Sequence, residues 1–596
     1  MTSLTSRPYA FWRFSYFLLW KEAWVYAGSG ERRSIILYHL MYVVAVAMSL
    51  VQPYILGRLV NTLQTGGTAL FHDAAMLLGA IVLAEVGFWV FHGPARIIER
   101  KAAKNIYIAY TTQCYARLME MPLNWHQDHH SGSTINRIQT AANGLQDFVQ
   151  NGFTSFQNLG LLTGSIIVLL WFNPIIGLAS LAGFVFSMCI IVAMNKRMIA
   201  ALHESNEVAH QASATFYDFV SNMASIIILR VQKLSERTLR SRLALSMSPW
   251  MKQIKLNEGR YFVYTMLNIL MMTVILLGYI KAQIDLNTVV AAGSLVTVYL
   301  YQEKIGYQGF NFLGIHEDWI RGLTNLSAAK NFLEEHAGLA GRGVIAPQPG
   351  WKQLDIRHLY FNYRADDGSP KPVLSDIHLP LRRGERIALI GGSGGGKSTL
   401  LSLLRALHEP ESGELYIDGQ PVPFNALSEV TTLIPQDPEI FENTIRFNVS
   451  FDLDVPDEQV YQAIRLAEFT SVLEQMPRGL DTDIREKGVN LSVGQKQRLA
   501  LARGIFAAGQ SDIVLLDEPT SSIDLPTEEK IFENIFARFE GKTIVATLHR
   551  LNLLPGFDRI VYLEGGAVLS DLPAKEALFR KGPILDIYLA YQQKAV

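Results

Sequence analysis

The chain has 596 residues, 49% of them hydrophobic and 18% charged, with a mean hydropathy of +0.16. That is high for a soluble protein while the charge content is ordinary, so the two characters must be segregated along a length holding roughly three or four domains' worth of chain at about 150 residues each. A net charge of −1 excludes a global basic field for nucleic acid, and two cysteines, Cys114 and Cys189, are too few for a disulfide framework.

Nearly all the long apolar runs fall before about residue 315. Residues 7–26 mix Arg7, Arg13, Lys21 and Glu22 with aromatics and lack the apolar core and small-residue cleavage site of a signal peptide. They read as an amphipathic helix lying at a membrane surface. Apolar spans follow at about 35–57, 74–95, 153–172, 174–195, 261–280 and 288–310. From Phe148 to Asn195 there is no Asp, Glu, Lys or Arg, enough for two helices of about 20 residues each with a turn at Asn173-Pro174. Water would not tolerate such a stretch.

Lys and Arg concentrate at Arg32 and Arg33, from Arg96 to Arg137 and from Lys196 to Arg260, whereas the connections near 58–73, 173 and 281–287 hold only Arg58 and Lys281. The positive-inside tendency makes the rich segments cytoplasmic, giving six helices with both ends inside. The two cytoplasmic connections are long and helix-like, with tips at 121–132 and 216–230 suited to dock on a soluble domain. His126, Asp128, His129 and His130 in the first tip read as a polar surface turn, since no second ligand group sits at a recognised metal spacing. Ionisable residues within spans are costly and face a cavity or a partner. Glu85 and His92 in the second span, and Gln302, Glu303 and Lys304 with Tyr299 and Tyr301 in the sixth, are therefore candidates for a substrate path. A helix-to-helix ion pair such as Glu85 with Lys304 is the competing reading. Gly338 to Gly350, with two Pro and several Gly, reads as a linker between a membrane domain at 1–337 and a second domain at 351–596.

The second domain holds GGSGGGKST, Gly391 to Thr399, after the strand-like run Arg386 to Ile390 and before a helix-like run. Strand, glycine loop, Lys-Ser and helix occur in the order a phosphate-binding loop requires. Backbone N–H groups across Gly391, Ser393, Gly394, Gly395 and Gly396 close around phosphates, Lys397 reaches the terminal ones, and the Ser398 hydroxyl ligates Mg²⁺ beside Thr399. Ile513 to Glu518 is an apolar strand ending in two carboxylates, which suits Asp517 to the Mg²⁺ shell and Glu518 to orienting or deprotonating the attacking water. Ser492 reads as the cap of a helix whose N-terminus, with the Gly494 N–H, can hold an anion.

With LSVGQKQRLALARGI at Leu491 to Ile505 added to these stretches, the second half resembles the nucleotide-binding domain of the ATP-binding cassette family. The order of membrane part then ATPase resembles that family's exporter-type half-transporters. The resemblance implies an all-α polytopic membrane domain of six transmembrane helices with long cytoplasmic extensions, followed by an α/β P-loop ATPase domain that uses ATP and Mg²⁺. It implies that Tyr363 stacks on adenine, that Gln436 contacts the metal and the nucleophilic water, and that His549 is the switch that positions Glu518. It further implies that Ser492, Gly494 and Gln495 contact the nucleotide of the opposing domain, and that Asp524 is a nucleotide-binding residue. One phosphate loop and one signature then require a homodimer, or a heterodimer with a similar half.

Val493 replaces the family's usual glycine in LSGGQ, and SSID at Ser521 to Asp524 replaces the commoner SALD. The backbone donors of Ser492 and Gly494 remain, so activity is expected. The implied function is ATP-driven transport by alternating access, exporting or flipping an amphipathic, lipid-like, glycan or peptide cargo across a bilayer, most simply a bacterial inner membrane with the ATPase in the cytosol. Import on the exporter fold, or a nucleotide-gated channel or sensor, is the alternative. The six spans set aside a soluble cassette ATPase acting on nucleic acid.

Overall fold

The computed structural model describes residues 15–121, 123–128, 131–286, 290–334, 350–364, 369–484 and 491–595. Residues 7–14 of the expected surface helix, His129 and His130, and the expected linker up to residue 349 lie outside them. The chain divides into two compact units, Met1–Glu120 with Ser131–His336, and Met121–His130 with Ala337–Val596.

The first unit is helical throughout its described residues. After Ser15–Tyr26 come Ser29–Thr65, Leu70–Met119, Ser131–Gln150, Gly152–Phe172, Pro174–Ser221, Met223–Ile228, Gln232–Leu245, Met247–Asp285 and Ala292–Glu334. Asn173 makes the expected turn in both directions. It ends Gly152–Phe172, and its side-chain oxygen caps the next helix by accepting from Ile175 N at 3.0 Å and Ile176 N at 3.3 Å, with Pro174 opening that helix. Among the described residues, five helical stretches, matching the first five expected spans, are long and apolar enough to cross a bilayer. In the one within Leu70–Met119 only 6% of the apolar window is buried, a surface that water would not support and lipid would. The sixth, Ala292–Glu334, is 43 residues long; Gln302, Glu303 and Lys304 interrupt its apolar run. It belongs to the bundle all the same, burying Val298, Tyr301 and Ile305 against Leu162, Ile166 and Leu169. The first unit is therefore a helical membrane domain.

One polar knot in this unit was not foreseen. Glu99 is fully buried, accepts from Tyr42 Oη at 2.8 Å and Phe153 N at 2.7 Å, and pairs with Arg96. Arg96 in turn donates to the Gln150 carbonyl at 2.7 Å, so one carboxylate joins three helices. A buried charge persists only when it is paired and hydrogen-bonded, as this one is.

The second unit is α/β. Its strands are β1 (Gln353–Arg364), β2 (Pro370–Arg382), β3 (Arg386–Ile390), β4 (Ser412–Ile417), β5 (Gln420–Val422), β6 (Thr431–Ile434), β7 (Ile513–Asp517), β8 (Thr543–Thr547), β9 (Arg559–Glu564) and β10 (Ala567–Pro573). They form an antiparallel sheet in the order β2-β1-β4-β5 and a six-stranded sheet in the order β10-β9-β3-β8-β7-β6, parallel from β9 to β6. Strands β3, β7 and β8 are short, apolar and buried on both faces, as central parallel strands are. The two-residue period sends Leu389, Leu515 and Val545 to the core shared with the antiparallel sheet, and Ile390, Leu516 and Ala546 to the core shared with the helices. With β3, β7 and β8 adjacent and parallel, their carboxyl ends open on one edge, where open α/β sheets place ligands.

Candidate functional site

That edge collects the sequence candidates. After β3 the chain runs through the glycine loop into the helix Lys397–Leu404. Gly391 has a φ of 151°, and a Cβ there would stand 1.9 Å from the Leu563 carbonyl, so only glycine passes under β9 at this point. Gly394 and Gly396 also have positive φ, 79° and 97°. Lys397 folds back over the loop and donates to the carbonyls of Gly391 at 3.0 Å and Gly392 at 3.1 Å. This holds an ammonium over the cradle formed by the loop and the first turn.

Ser398 Oγ donates to Asp517 Oδ1 at 3.1 Å across β3 and β7, and Gln436 Nε2 donates to Glu518 Oε2 at 2.7 Å. A hydroxyl, an amide oxygen and a carboxylate are the hard oxygen donors Mg²⁺ takes, so this set fits the ion. Bound there, Mg²⁺ would neutralise phosphate charge; Ser398, Gln436 and Asp517 are the residues that would hold it.

Glu518 adopts a φ of 44°, a left-handed conformation uncommon for a residue with a Cβ and found where surrounding structure over-determines it. Thr547, wholly buried at the end of β8, supplies the restraint. Its hydroxyl accepts from Glu518 N at 2.9 Å and donates to Asp517 Oδ1 at 2.8 Å, so one side chain orients both carboxylate residues. The sequence reading passed over Thr547; the available signal was a hydroxyl residue closing the apolar run Ile544 to Ala546 of β8 in a domain with another strand ending in Asp-Glu.

The helix Val493–Ala507 opens on Ser492, whose Oγ accepts from Gln495 N at 3.3 Å while Gln495 Oε1 accepts from Ser492 N at 2.9 Å. This reciprocal capping box fixes the helix start. Val493 is 63% exposed, so the departure from the family's glycine projects outward and leaves the cap intact. Gly494 has a packing reason to be glycine, since a Cβ there would lie 2.9 Å from the Ser522 carbonyl.

Gln497, also missed, is buried one turn into this helix. It donates to Ser521 Oγ at 3.0 Å and the Glu518 carbonyl at 3.4 Å, and accepts from Ser522 N at 2.8 Å. The helix is thereby tied to the loop that follows Glu518. Farther along, Arg503 donates to the carbonyls of Glu439 and Asn448, both at 2.7 Å, and lies over the Phe441 ring. That ties it to the segment after Gln436 as well.

Tyr363, near the end of β1, has its hydroxyl 3.5 Å from Thr399 Oγ1 and its ring edge-on to Phe361 and His408. At 37% exposure it retains an open ring surface near the phosphate-loop helix. Asp524 caps the helix Leu525–Arg538 by accepting from Thr527 N at 3.2 Å, and Thr527 holds its carboxyl below the usual carboxylate range. His549 is exposed two residues beyond β8 and makes no hydrogen bond among the described residues. The fold brings it to the correct edge without joining it to Glu518.

In the membrane unit, a cavity of about 860 Å³ is lined by Thr154, Gln157, Asn158, Asn268, Glu303 and Lys304 among others. Glu303 and Lys304 are thus together, whereas the other path candidates are not lining residues. Glu85 accepts from Gln52 Nε2 at 2.8 Å and Trp89 Nε1 at 3.2 Å, in place of an ion pair with Lys304. His92 packs among Phe88, Tyr42 and Phe153. Tyr299 is exposed, and Tyr301 is buried with its hydroxyl donating to the Leu50 carbonyl at 2.5 Å.

Residues 35–302 match the family model described as ABC transporter transmembrane region, and residues 374–521 match the one described as ABC transporter. Among curated relatives, antigen peptide transporter 2 of Rattus norvegicus is 26% identical over 476 residues, 78% of this chain and 66% of its own length. The chain thus spans just under two thirds of that relative. A multidrug resistance ABC transporter ATP-binding and permease protein of Lactococcus lactis is 25% identical over 562 residues, 90% of this chain and 91% of its own length. The iron-sulfur clusters transporter ATM1 of Saccharomyces cerevisiae mitochondria is 25% identical over 84% of this chain and 73% of its own length. The fold is similar to that of a bacterial Atm1-family ABC exporter solved with ATP bound, with a TM-score of 0.82, 22% identity, and coverage of 94% of this chain and 99% of that one. With both family models matched in one polypeptide, the transmembrane region ahead of the second, the chain belongs to the ABC transporter family.

Proposed function

We propose that two copies of this chain, or this chain and a similar half, export an amphipathic cargo by alternating access, with the ATPase unit in the cytosol. The observation that carries the reading is the joined pair Ser398–Asp517 and Gln436–Glu518 at one sheet edge. There Glu518 orients or deprotonates the attacking water, while the phosphate loop holds the transferred group; positioning and charge stabilisation supply most of phosphoryl-transfer catalysis. Ser492, Gly494 and Gln495 take the nucleotide held by the other copy's phosphate loop, Asp524 adds a nucleotide contact, and His549 reaches the terminal phosphate at this chain's own phosphate loop and positions Glu518 on dimer closure. To move the dimer from 1:99 to 99:1 closed, ATP must favour the closed form by about 5.5 kcal/mol. Exposed Phe216, Tyr217, Ile228 and Leu229 at the second cytoplasmic tip are the surface through which closure reaches the helices.

Asn158 Nδ2 and Asn268 Oδ1 are buried without partners among the described residues, and both residues line the 860 Å³ cavity. Buried polar atoms left in this way favour a cargo carrying hydrogen-bonding groups, and Glu303 with Lys304 adds tolerance for charge. Peptides, the cargo named for the rat relative, meet this description better than plain lipids. A bacterial cell membrane is the setting we favour, supported by the match to the Lactococcus protein along nearly its whole length.

The test is Glu518→Gln in the full chain reconstituted in vesicles. Steady-state ATP hydrolysis and cargo uptake should disappear, while ATP still draws the two ATPase units together, read as a cross-link or an energy-transfer signal. Normal hydrolysis in this variant removes the catalytic assignment. Hydrolysis by a monomer removes the shared site.

A further inference from the structure

Away from the nucleotide edge, the pairing of β1 with β2 carries three consecutive irregularities, the first two of them around His358 and Asp376. Ile356 pairs with Leu379, and Leu359 with Ile377, so Arg357 and His358 together oppose His378 alone. The next pair, Phe361 with Leu374, leaves Ser375 and Asp376 opposite Tyr360. Each extra residue turns a side chain out of the alternation that would have sent it inward, which is what a bulge does to a strand. His358 and Asp376 both take left-handed backbone, with φ of 50° and 52°. Three chemistry-bearing side chains thus converge on the exposed face of a sheet whose opposite face is packed by Leu359, Ile377 and Leu379.

Their geometry is that of a ligand set. His358 Nδ1 lies 2.9 Å and His378 Nε2 lies 3.2 Å from the same Asp376 oxygen, Oδ1. The two rings meet edge to face, centroids 4.4 Å apart and planes at 80°, so their nitrogens aim at the carboxylate. One ligand atom from each of the three residues lies within 4.8 Å of the other two. Around a tetrahedral ion with bonds of about 2.0–2.2 Å, ligand atoms stand roughly 3.3–3.6 Å apart. Small turns of the three side chains therefore open room for an ion at their centre.

We infer that His358, His378 and Asp376 form a binding site for a divalent transition metal of the zinc class on the outer face of the β1–β2 pair. Two imidazoles and one carboxylate select Zn²⁺, Cu²⁺ or Ni²⁺ over Mg²⁺ or Ca²⁺, which take oxygen ligands. Three protein ligands leave at least one position to water, as in open rather than closed zinc sites. The ligands sit on paired strands, so the bound ion cross-links β1 to β2 at the first two of their irregular points. The site is separate from the Mg²⁺ ligands Ser398, Gln436 and Asp517, and the inference does not rest on the transport reading.

The experiment uses the full-length protein in detergent, freed of any affinity tag, stripped with chelator and then saturated with MgADP to occupy the nucleotide site. Zn²⁺ is titrated by calorimetry, and Co²⁺ serves as the optical probe. The wild type should bind one more equivalent of Zn²⁺ per chain than the double variant His358→Ala/His378→Ala. It should also melt at a higher temperature in Zn²⁺, a gain the double variant lacks. Asp376→Asn, which keeps hydrogen-bonding capacity, should weaken Zn²⁺ at least tenfold, since even outer-shell losses cost about 10–100-fold. The Co²⁺ visible bands should vanish in the double variant.

All three side chains are about half exposed or more, and none belongs to the nucleotide machinery, so the variants should fold and hydrolyse ATP at the wild-type basal rate. Equal Zn²⁺ stoichiometry and affinity in wild type and double variant overturns the site, leaving the cluster a hydrogen-bonded triad that closes the two bulges.

Discussion

Thr547→Val tests the claim that Glu518 is held in place from behind. The substitution keeps the side chain's shape and removes one acceptor and one donor at a wholly buried position. The Glu518 N–H loses its 2.9 Å acceptor and Asp517 loses a 2.8 Å donor. Leaving a buried amide unsatisfied costs about 1–3 kcal/mol. The Asp517 carboxylate is only half-buried and regains part of its bond from water. Taking about 2 kcal/mol in all, the ATPase unit should melt roughly 4–8 °C lower. The larger effect is on rate, because a displacement of about 1 Å in a positioned group can cost about 10²-fold. Steady-state phosphate release should therefore fall by about two orders of magnitude in kcat, with KM for ATP nearly unchanged because the phosphate loop is untouched. Thr547→Ser should restore most of the rate. A Thr547→Val protein hydrolysing ATP within twofold of wild type would refute the reasoning.

Gly494→Ala should shift the start of the signature helix, because the new Cβ meets the Ser522 carbonyl at 2.9 Å. A loss of about 1–3 kcal/mol in thermal unfolding should accompany slower ATP hydrolysis, and an unchanged melt would contradict the packing argument. Glu99→Gln removes the anion that Arg96 and Tyr42 share, and should lower the melting temperature of the membrane unit in detergent by the equivalent of about 3 kcal/mol, leaving ATP hydrolysis per folded molecule intact. Glu303→Gln should alter cargo-stimulated hydrolysis, and Glu85→Gln should not, since only Glu303 lines the cavity. Equal responses from the two would detach the cavity from the cargo path.

What could be read from the sequence was what the chain encodes contiguously. The phosphate loop, the Asp517-Glu518 strand end and the Asn173-Pro174 turn are local patterns, and each stands where its pattern places it. The sixth span was legible by position, although Gln302, Glu303 and Lys304 dilute it below the apolar level of the other five. Thr547 and Gln497 were not legible, because their importance comes from strands and helices that meet only after folding. The partners of Thr547 are 29 and 30 residues away in the chain. Glu99 was hidden for the same reason, with Tyr42 and Phe153 each more than 50 residues distant. His358, Asp376 and His378 are separated by an irregular register that no alternation of polar and apolar residues announces.

The helix Val493–Ala507 answers a question the motifs leave open, namely why a signature proposed to face another copy's nucleotide should lie beside the residues of its own site. Gln497 grips the loop after Glu518, and Arg503 grips the segment after Gln436. Those two segments carry the Glu518 carboxylate and the amide that bonds it. A movement of the helix along its axis therefore pulls on both members of the Gln436–Glu518 pair together. On the proposed reading, nucleotide arriving at Ser492 from the opposite copy is felt at this chain's own Glu518 through side chains alone. Gln497→Ala, which cuts one of the two connections while sparing every residue proposed to touch nucleotide, should accordingly weaken the cooperativity of hydrolysis between the two sites more than the affinity of either for ATP. Unchanged cooperativity alongside a reduced affinity would place Gln497 in nucleotide binding instead.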